Sequence, residues 1–303
     1  MSVHTRTWST DVVLLMRTGT VRTLNFDGKL QRFWDFPAVQ TTPGTRSIFM
    51  VHGFRGDHHG LLRIIEALPT HRVIAPDLPG FGRSDPLDGE HDVEAYAAFV
   101  RNSLDRLALG PETVLLGHSF GSIIAAKAAA DAPEAFSALV LINPISAPAL
   151  EGSSRVATRL AALYYRVGAA LPETAGHALL SNRMIVRAMS ELMAKTRDRP
   201  LRRWIHGQHR AYFSAFASRD VVLQAFTASI STTVRDSAAR LRLPVLLIAA
   251  AKDDLGTVQT QQELASLIPD SKLVVLPEVG HLIHYETPEA AAEHIIDFLG
   301  NRT

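Results

Sequence analysis

Ser119 stands in Gly117-His118-Ser119-Phe120-Gly121, a G-x-S-x-G pattern between the apolar run Val114-Leu115-Leu116 and the small apolar residues Ile123 to Ala126. A buried strand followed by a sharp turn into a helix would push the serine hydroxyl out above a sheet. The flanking glycines suit so tight a bend, where a Cβ two residues either side of Ser119 would collide. A serine hydroxyl is a weak nucleophile at neutral pH and needs an adjacent base. Among the 13 histidines, His281 follows the last apolar run, and Gly280 before it frees the loop to bend. His284 is the nearby rival. The base in turn needs an acid that fixes its tautomer and stabilises the imidazolium. Lys252-Asp253-Asp254 offers two candidates after the run Pro244 to Ala249. At most one can face the histidine: Asp253 is preferred, with Asp254 as the cap of the next helix or a loop-folding residue, and otherwise as the alternative acid. The preceding strand ends in Asn143-Pro144, which puts no carboxylate at the other obvious acid position.

Attack on a carbonyl also requires N–H donors for the developing oxyanion. The backbone N–H of Phe120 is one candidate, helped by the dipole of the helix it opens. The N–H of Phe54, in the loop after His52-Gly53, is the other.

The elements that must position these residues are readable as alternating runs. Thr20–Asn25 and Leu30–Phe36 around Asp27-Gly28 read as a β-hairpin. Thr41-Thr42-Pro43-Gly44 reads as a turn. Apolar strands are expected at Ser47–Val51, Arg72–Ala75, Val114–Leu116, Ala138–Ile142, Val245–Ala249 and Leu273–Leu276. Helices are expected at Gly60–Leu68, Val93–Leu107 and Pro288–Leu299. Such alternation argues a doubly wound, mostly parallel α/β sheet covered on both faces. In these sheets ligands meet the carboxyl ends of the strands, where the Gly53, Ser119, Asp253 and His281 loops would gather. Residues 144–235 lose the strand pattern and become rich in Ala, Leu, Arg and Met. They read as a helical cap inserted between core segments 1–143 and 236–303.

Composition narrows the function. The 303 residues are 47% hydrophobic and 20% charged with formal charge +1, which gives no reason to expect a nucleic-acid partner. With no cysteine, disulfides and thiolate chemistry are excluded. Val12–Met16 is too short and wrongly flanked for a signal peptide, and no apolar run reaches a membrane span. A cytoplasmic location is the expectation.

Taken together, these features resemble the serine hydrolases of the α/β-hydrolase superfamily. The resemblance is carried by His52-Gly53-Phe54, Asp77-Leu78-Pro79-Gly80-Phe81-Gly82-Arg83-Ser84, Gly117–Gly121, the Asp253 loop, and Gly280-His281 followed by Glu286-Thr287-Pro288. They stand in the family's order of nucleophile, acid and histidine. The resemblance implies a triad of Ser119, Asp253 and His281, oxyanion donors at Phe54 and Phe120, and no cofactor. Two positions depart from the family pattern: Ala250 stands where glycine often precedes the acid, and Ser122 where a second glycine often follows the nucleophile motif. Ser122 is tolerable if its side chain points away.

The activity expected is hydrolysis of a small, moderately apolar carboxylic ester through an acyl-enzyme. Thioester, amide or C–C bond hydrolysis on the same triad, or a receptor with little turnover, are the alternatives. Within the cap, Trp204, Tyr212 and Phe213 are the candidate pocket residues. The cap's many arginines suit a solvated face, or attraction of an anionic substrate or an acidic membrane surface to which Arg55, His58 and His59 could add. His58-His59 shows no metal-ligand spacing, because neighbouring side chains rarely converge on one ion.

Overall fold

The structure is a computed structural model, and it describes residues 17–41, 44–148 and 155–300. The Val12–Met16 run and the Thr42-Pro43 part of the expected turn lie outside them.

Eight strands form one sheet: β1 (Thr20–Phe26), β2 (Lys29–Phe36), β3 (Ser47–Val51), β4 (Arg72–Pro76), β5 (Val114–His118), β6 (Ala138–Ile142), β7 (Val245–Ala250) and β8 (Ser271–Leu276). Their spatial order is β1-β2-β4-β3-β5-β6-β7-β8. The β1–β2 and β2–β4 pairs are antiparallel and all later pairs are parallel. Asp27 and Gly28 join the hairpin at φ 51° and 89°, the two positive values a type I′ turn requires.

Every residue of β5, β6 and β7 is buried, as expected of parallel strands covered on both faces. Alternate side chains divide the core. Phe49, Leu115, Leu139, Leu141, Val245 and Leu247 pack with the Phe120–Asp131 helix on one face. Ile48, Met50, Leu116, Val140, Ile142, Leu246 and Ile248 pack with the Pro288–Gly300 helix on the other. The expected helix over Gly60–Leu68 is shorter: a 3-10 turn at His58–Leu61 runs into Leu62–Glu66. Asp57 caps it by accepting from the His59 N–H, and Pro69 disfavours helix at Leu68.

Between β6 and β7 come helices Arg155–Ala170, Glu173–Leu180, Arg183–Met193, Arg199–Tyr212, Arg219–Ser231 and Arg235–Ala238. This segment is tied to the turn after β4 by main-chain bonds, Gly82 N–H to the Ala215 carbonyl and Ala217 N–H to the Gly80 carbonyl, each 2.8 Å.

Candidate active site

β5 ends at His118, and the helix starts at Phe120, so Ser119 is the single residue of the bend. Its φ of 53° and ψ of −121° are strained for a residue with a side chain. The bend is held by the Ser119 N–H on the Ile142 carbonyl, 3.0 Å, and the Ser122 N–H on the Ser119 carbonyl, 2.8 Å. A Cβ on Gly121 would come 2.3 Å from the Val51 carbonyl oxygen, and one on Gly117 would come 2.2 Å from the Gly121 carbonyl oxygen. Both glycines are therefore fixed by close backbone approach. Ser122 does not point away. Its buried hydroxyl donates to the Ser119 carbonyl and accepts from the Ile145 N–H at 3.2 Å, so it braces the bend.

The half-buried Ser119 Oγ lies 2.7 Å from His281 Nε2. His281 Nδ1 lies 2.8 Å from Asp253 Oδ2. A carboxylate only accepts, so Nδ1 carries the proton and Nε2 is left to accept from the serine hydroxyl. Asp253 also receives the Leu255 N–H on Oδ1 at 2.9 Å and the Asn143 side-chain amide on Oδ2 at 3.0 Å. Burial pushes the Asp253 carboxyl up, but His281 and these donors outweigh it and hold it below the usual carboxylate value. Asp254 turns outward to Lys195. It does not cap the following helix either, since the Thr257 side chain does so. His284 is buried against the His118 ring with centroids 4.0 Å apart, so the two histidines take different surroundings.

Asn143 was the residue that sequence reasoning missed. An asparagine in place of a carboxylate read as an absence, whereas its amide is a donor to the acid of the neighbouring strand. Its φ of 46° marks a special position, visible only in the structure.

The loop after β3 passes directly beside the serine: a Cβ on Gly53 would sit 3.2 Å from the Ser119 Cβ. His52 pins that loop. Its Nδ1–H donates to the Gly53 carbonyl at 2.8 Å, and Nε2 accepts the Leu78 N–H at 2.9 Å. Burial lowers the pKa of His52, which favours the neutral form these bonds require. The Phe54 ring meets Tyr165, Phe226 and Phe81 at centroid distances of 5.6, 5.7 and 6.3 Å.

Arg55 was expected to add to an anion site, but its donors are committed elsewhere. Its side chain is buried and reaches the Phe213 carbonyl at 3.0 Å, the Leu180 carbonyl at 2.7 Å and the Tyr165 hydroxyl at 3.3 Å. His58 and His59 likewise face Asp77 and Asp57, at 2.8 and 3.1 Å. Contrary to expectation these neighbours do converge: His58 stacks on Trp34 and Tyr212 on His59 at 3.5 and 3.8 Å, and the two histidine rings lie tilted to each other at 3.8 Å. Donor atoms of Asp57, His58 and His59 come within 4.8 Å of one another. The carboxylates already engage both Nδ1 atoms. The three expected pocket residues are spread over different surroundings. Tyr212 ends this ring column, the Phe213 ring lies 5.0 Å from the Arg55 guanidinium, and Trp204 packs edge-on against Tyr285.

Residues 46–288 match the family model described as the alpha/beta hydrolase fold. The chain belongs to the α/β hydrolase fold family. It is a hydrolase of that family. It is 28% identical over 267 residues to the uncharacterized hydrolase YugF of Bacillus subtilis, covering 85% of this chain and 91% of that protein. It is 30% identical over 244 residues, 76% of its length, to the polyketide synthase ThaQ of Burkholderia thailandensis, where the match spans 10% of the larger protein. Its fold is similar to that of the esterase EaEST from Exiguobacterium antarcticum. The TM-score is 0.74 at 20% identity, over 93% of this chain and 100% of that one.

Proposed function

We propose that this hydrolase cleaves a moderately apolar carboxylic ester through a Ser119–His281–Asp253 triad and an acyl-enzyme. The observation that carries the reading is the continuous pair of short contacts, Ser119 Oγ to His281 Nε2 at 2.7 Å and His281 Nδ1 to Asp253 Oδ2 at 2.8 Å. His281 takes the hydroxyl proton on Nε2 as Ser119 Oγ bonds to the ester carbonyl carbon. Asp253 keeps Nδ1 protonated and stabilises the imidazolium. The carbonyl oxygen becomes an oxyanion received by the backbone N–H groups of Phe120, in the first helical turn, and Phe54. As the tetrahedral intermediate collapses, the alkoxide leaves with the proton from His281. Water then gives a proton to the same nitrogen as its oxygen bonds to the acyl carbon; the bond to Ser119 Oγ breaks, His281 returns the proton to that oxygen, and the acid leaves. The nearby Phe54 ring supplies apolar surface for the acyl group, and the helices between β6 and β7 act as the cap over it.

The test is Ser119→Ala with p-nitrophenyl acyl esters. Turnover is expected to fall by at least about four orders of magnitude while the thermal midpoint stays near that of the parent. Retained turnover, or failure of a fluorophosphonate to label the parent at Ser119, overturns the reading.

A further inference from the structure

The helix Arg155–Ala170 carries two apolar faces where folding needs one. Its inner face presents Thr158, Tyr165 and Gly168, all buried, to the Glu173–Leu180 and Arg219–Ser231 helices. A Cβ on Gly168 would come 2.6 Å from the Leu180 side chain, so this packing is tight. The opposite face carries Val156, Leu160, Leu163 and Val167, a 4-3-4 spacing that aligns them along one line. They are 62%, 63%, 58% and 42% exposed. A buried structural role does not explain four aligned aliphatic side chains pointing away from the core. The line runs about 16 Å at the rise of an α-helix.

Charge indicates what this face meets. Arg159 and Arg166 are exposed and flank the line on one side, seven residues apart. The helix contains no aspartate or glutamate. Elsewhere between β6 and β7 several arginines are ion-paired, as where Arg187 and Arg202 share Glu191 and Arg219 meets Glu173. A second copy of the chain is the weaker fit, because an antiparallel two-fold contact on this face would bring arginine against arginine and no acidic side chain of the helix would offset them. An apolar line edged by cations on an acid-free helix is the pattern of a helix lying in the plane of a lipid surface. No helix among the described residues is long and apolar enough to cross a membrane, so the mode is lying on it rather than spanning it.

We propose that Arg155–Ala170 docks the protein on an anionic lipid surface, with Val156, Leu160, Leu163 and Val167 in the interface and Arg159 and Arg166 at the headgroups. The experiment uses the full chain in flotation with phosphatidylcholine vesicles, with and without phosphatidylglycerol. The parent is expected to float with the anionic vesicles and to be released by salt. The double variant L160S/L163S is expected to lose binding at least about tenfold. R159Q/R166Q is expected to lose about tenfold on anionic vesicles only. Thermal midpoints within a few degrees of the parent would show both variants folded. Lack of flotation by the parent, or binding that neither variant weakens, overturns the proposal. So does a self-association that L160S/L163S abolishes in the absence of lipid, or capture by an acidic protein with no vesicle binding. Because binding is read without turnover, its failure is separable from failure of the esterase reading.

Discussion

Two histidines in this protein hold a buried aspartate through Nδ1 at the same 2.8 Å, and the two pairs do different things. His281 on Asp253 presents Nε2 to the Ser119 hydroxyl at the carboxyl edge of the parallel strands. His58 on Asp77 has its ring sandwiched between Trp34 and His59. Asp77 is wholly buried and also receives the backbone N–H groups of His58 and Arg83, so it folds the turn after β4 onto the loop after β3. Gly82 is required in that turn: its φ is 56°, and a Cβ there would come 2.1 Å from Asp77 Oδ2. A short Asp–His contact is thus common to the candidate site and to a brace. What separates them is the atom at the second ring nitrogen.

Exchanging each acid for its amide breaks that comparison most directly. Asp253→Asn is expected to lower kcat by about three to four orders of magnitude, because the amide no longer enforces the Nδ1–H tautomer. Its unfolding midpoint should move little. Asp77→Asn should do the reverse, leaving one buried donor facing another at about 2–3 kcal/mol, or roughly 3–5 °C in midpoint. Paired kinetics and thermal melts check both. Equal effects of the two changes on kcat would erase the distinction.

A smaller effect sharpens the catalytic side. Asn143→Ala removes a charge-assisted donor from Asp253 without touching His281 or Ser119. The expected loss is about tenfold in kcat with KM nearly unchanged. A change confined to KM would mean that Asn143 acts on substrate rather than on the acid.

The smallest effect concerns histidines that belong to neither pair. Burial, with the His281 charge beside it, pushes the His118 pKa down to about 3. His284 is held well below its ordinary value by burial and by the charges of His118 and its neighbours. Because the folded values are depressed, the unfolded chain binds protons first as pH falls below about 6.5. Their stabilising contribution is complete above that pH, and that of His118 is lost progressively toward about 3. Each such proton adds about 1.4 kcal/mol per pH unit to the slope. Urea unfolding between pH 7 and pH 5 should show it, with a slope one proton shallower in His118→Gln. An unchanged slope would mean that His118 is not kept neutral by the fold.

Much of this was legible along the chain because its signals are local. Runs such as Ile48–Val51 and Leu246–Ile248 are apolar on both faces, which only a covered parallel sheet tolerates. The Asp27-Gly28 turn and the glycines around Ser119 are backbone requirements written in residue type. Asp253 over Asp254 was a preference and no more, since adjacent residues of one loop have the same local signal. Their fates depend on which side of the loop meets His281 and which meets Lys195.

The sequence by itself determined the strand and helix succession, the order of serine, acid and histidine, and the tight turn that presents Ser119. Periodicity and glycine sterics act over a few residues and need no partner. Only the tertiary structure decided that Asn143 supports Asp253 across 110 positions, that Ser122 braces the bend, and that Arg55 is consumed by carbonyls rather than left for an anion. It alone also separated the packed face of Arg155–Ala170 from the exposed one. Those outcomes depend on which strand ends and helices become neighbours, because hydrogen bonding and burial act through space.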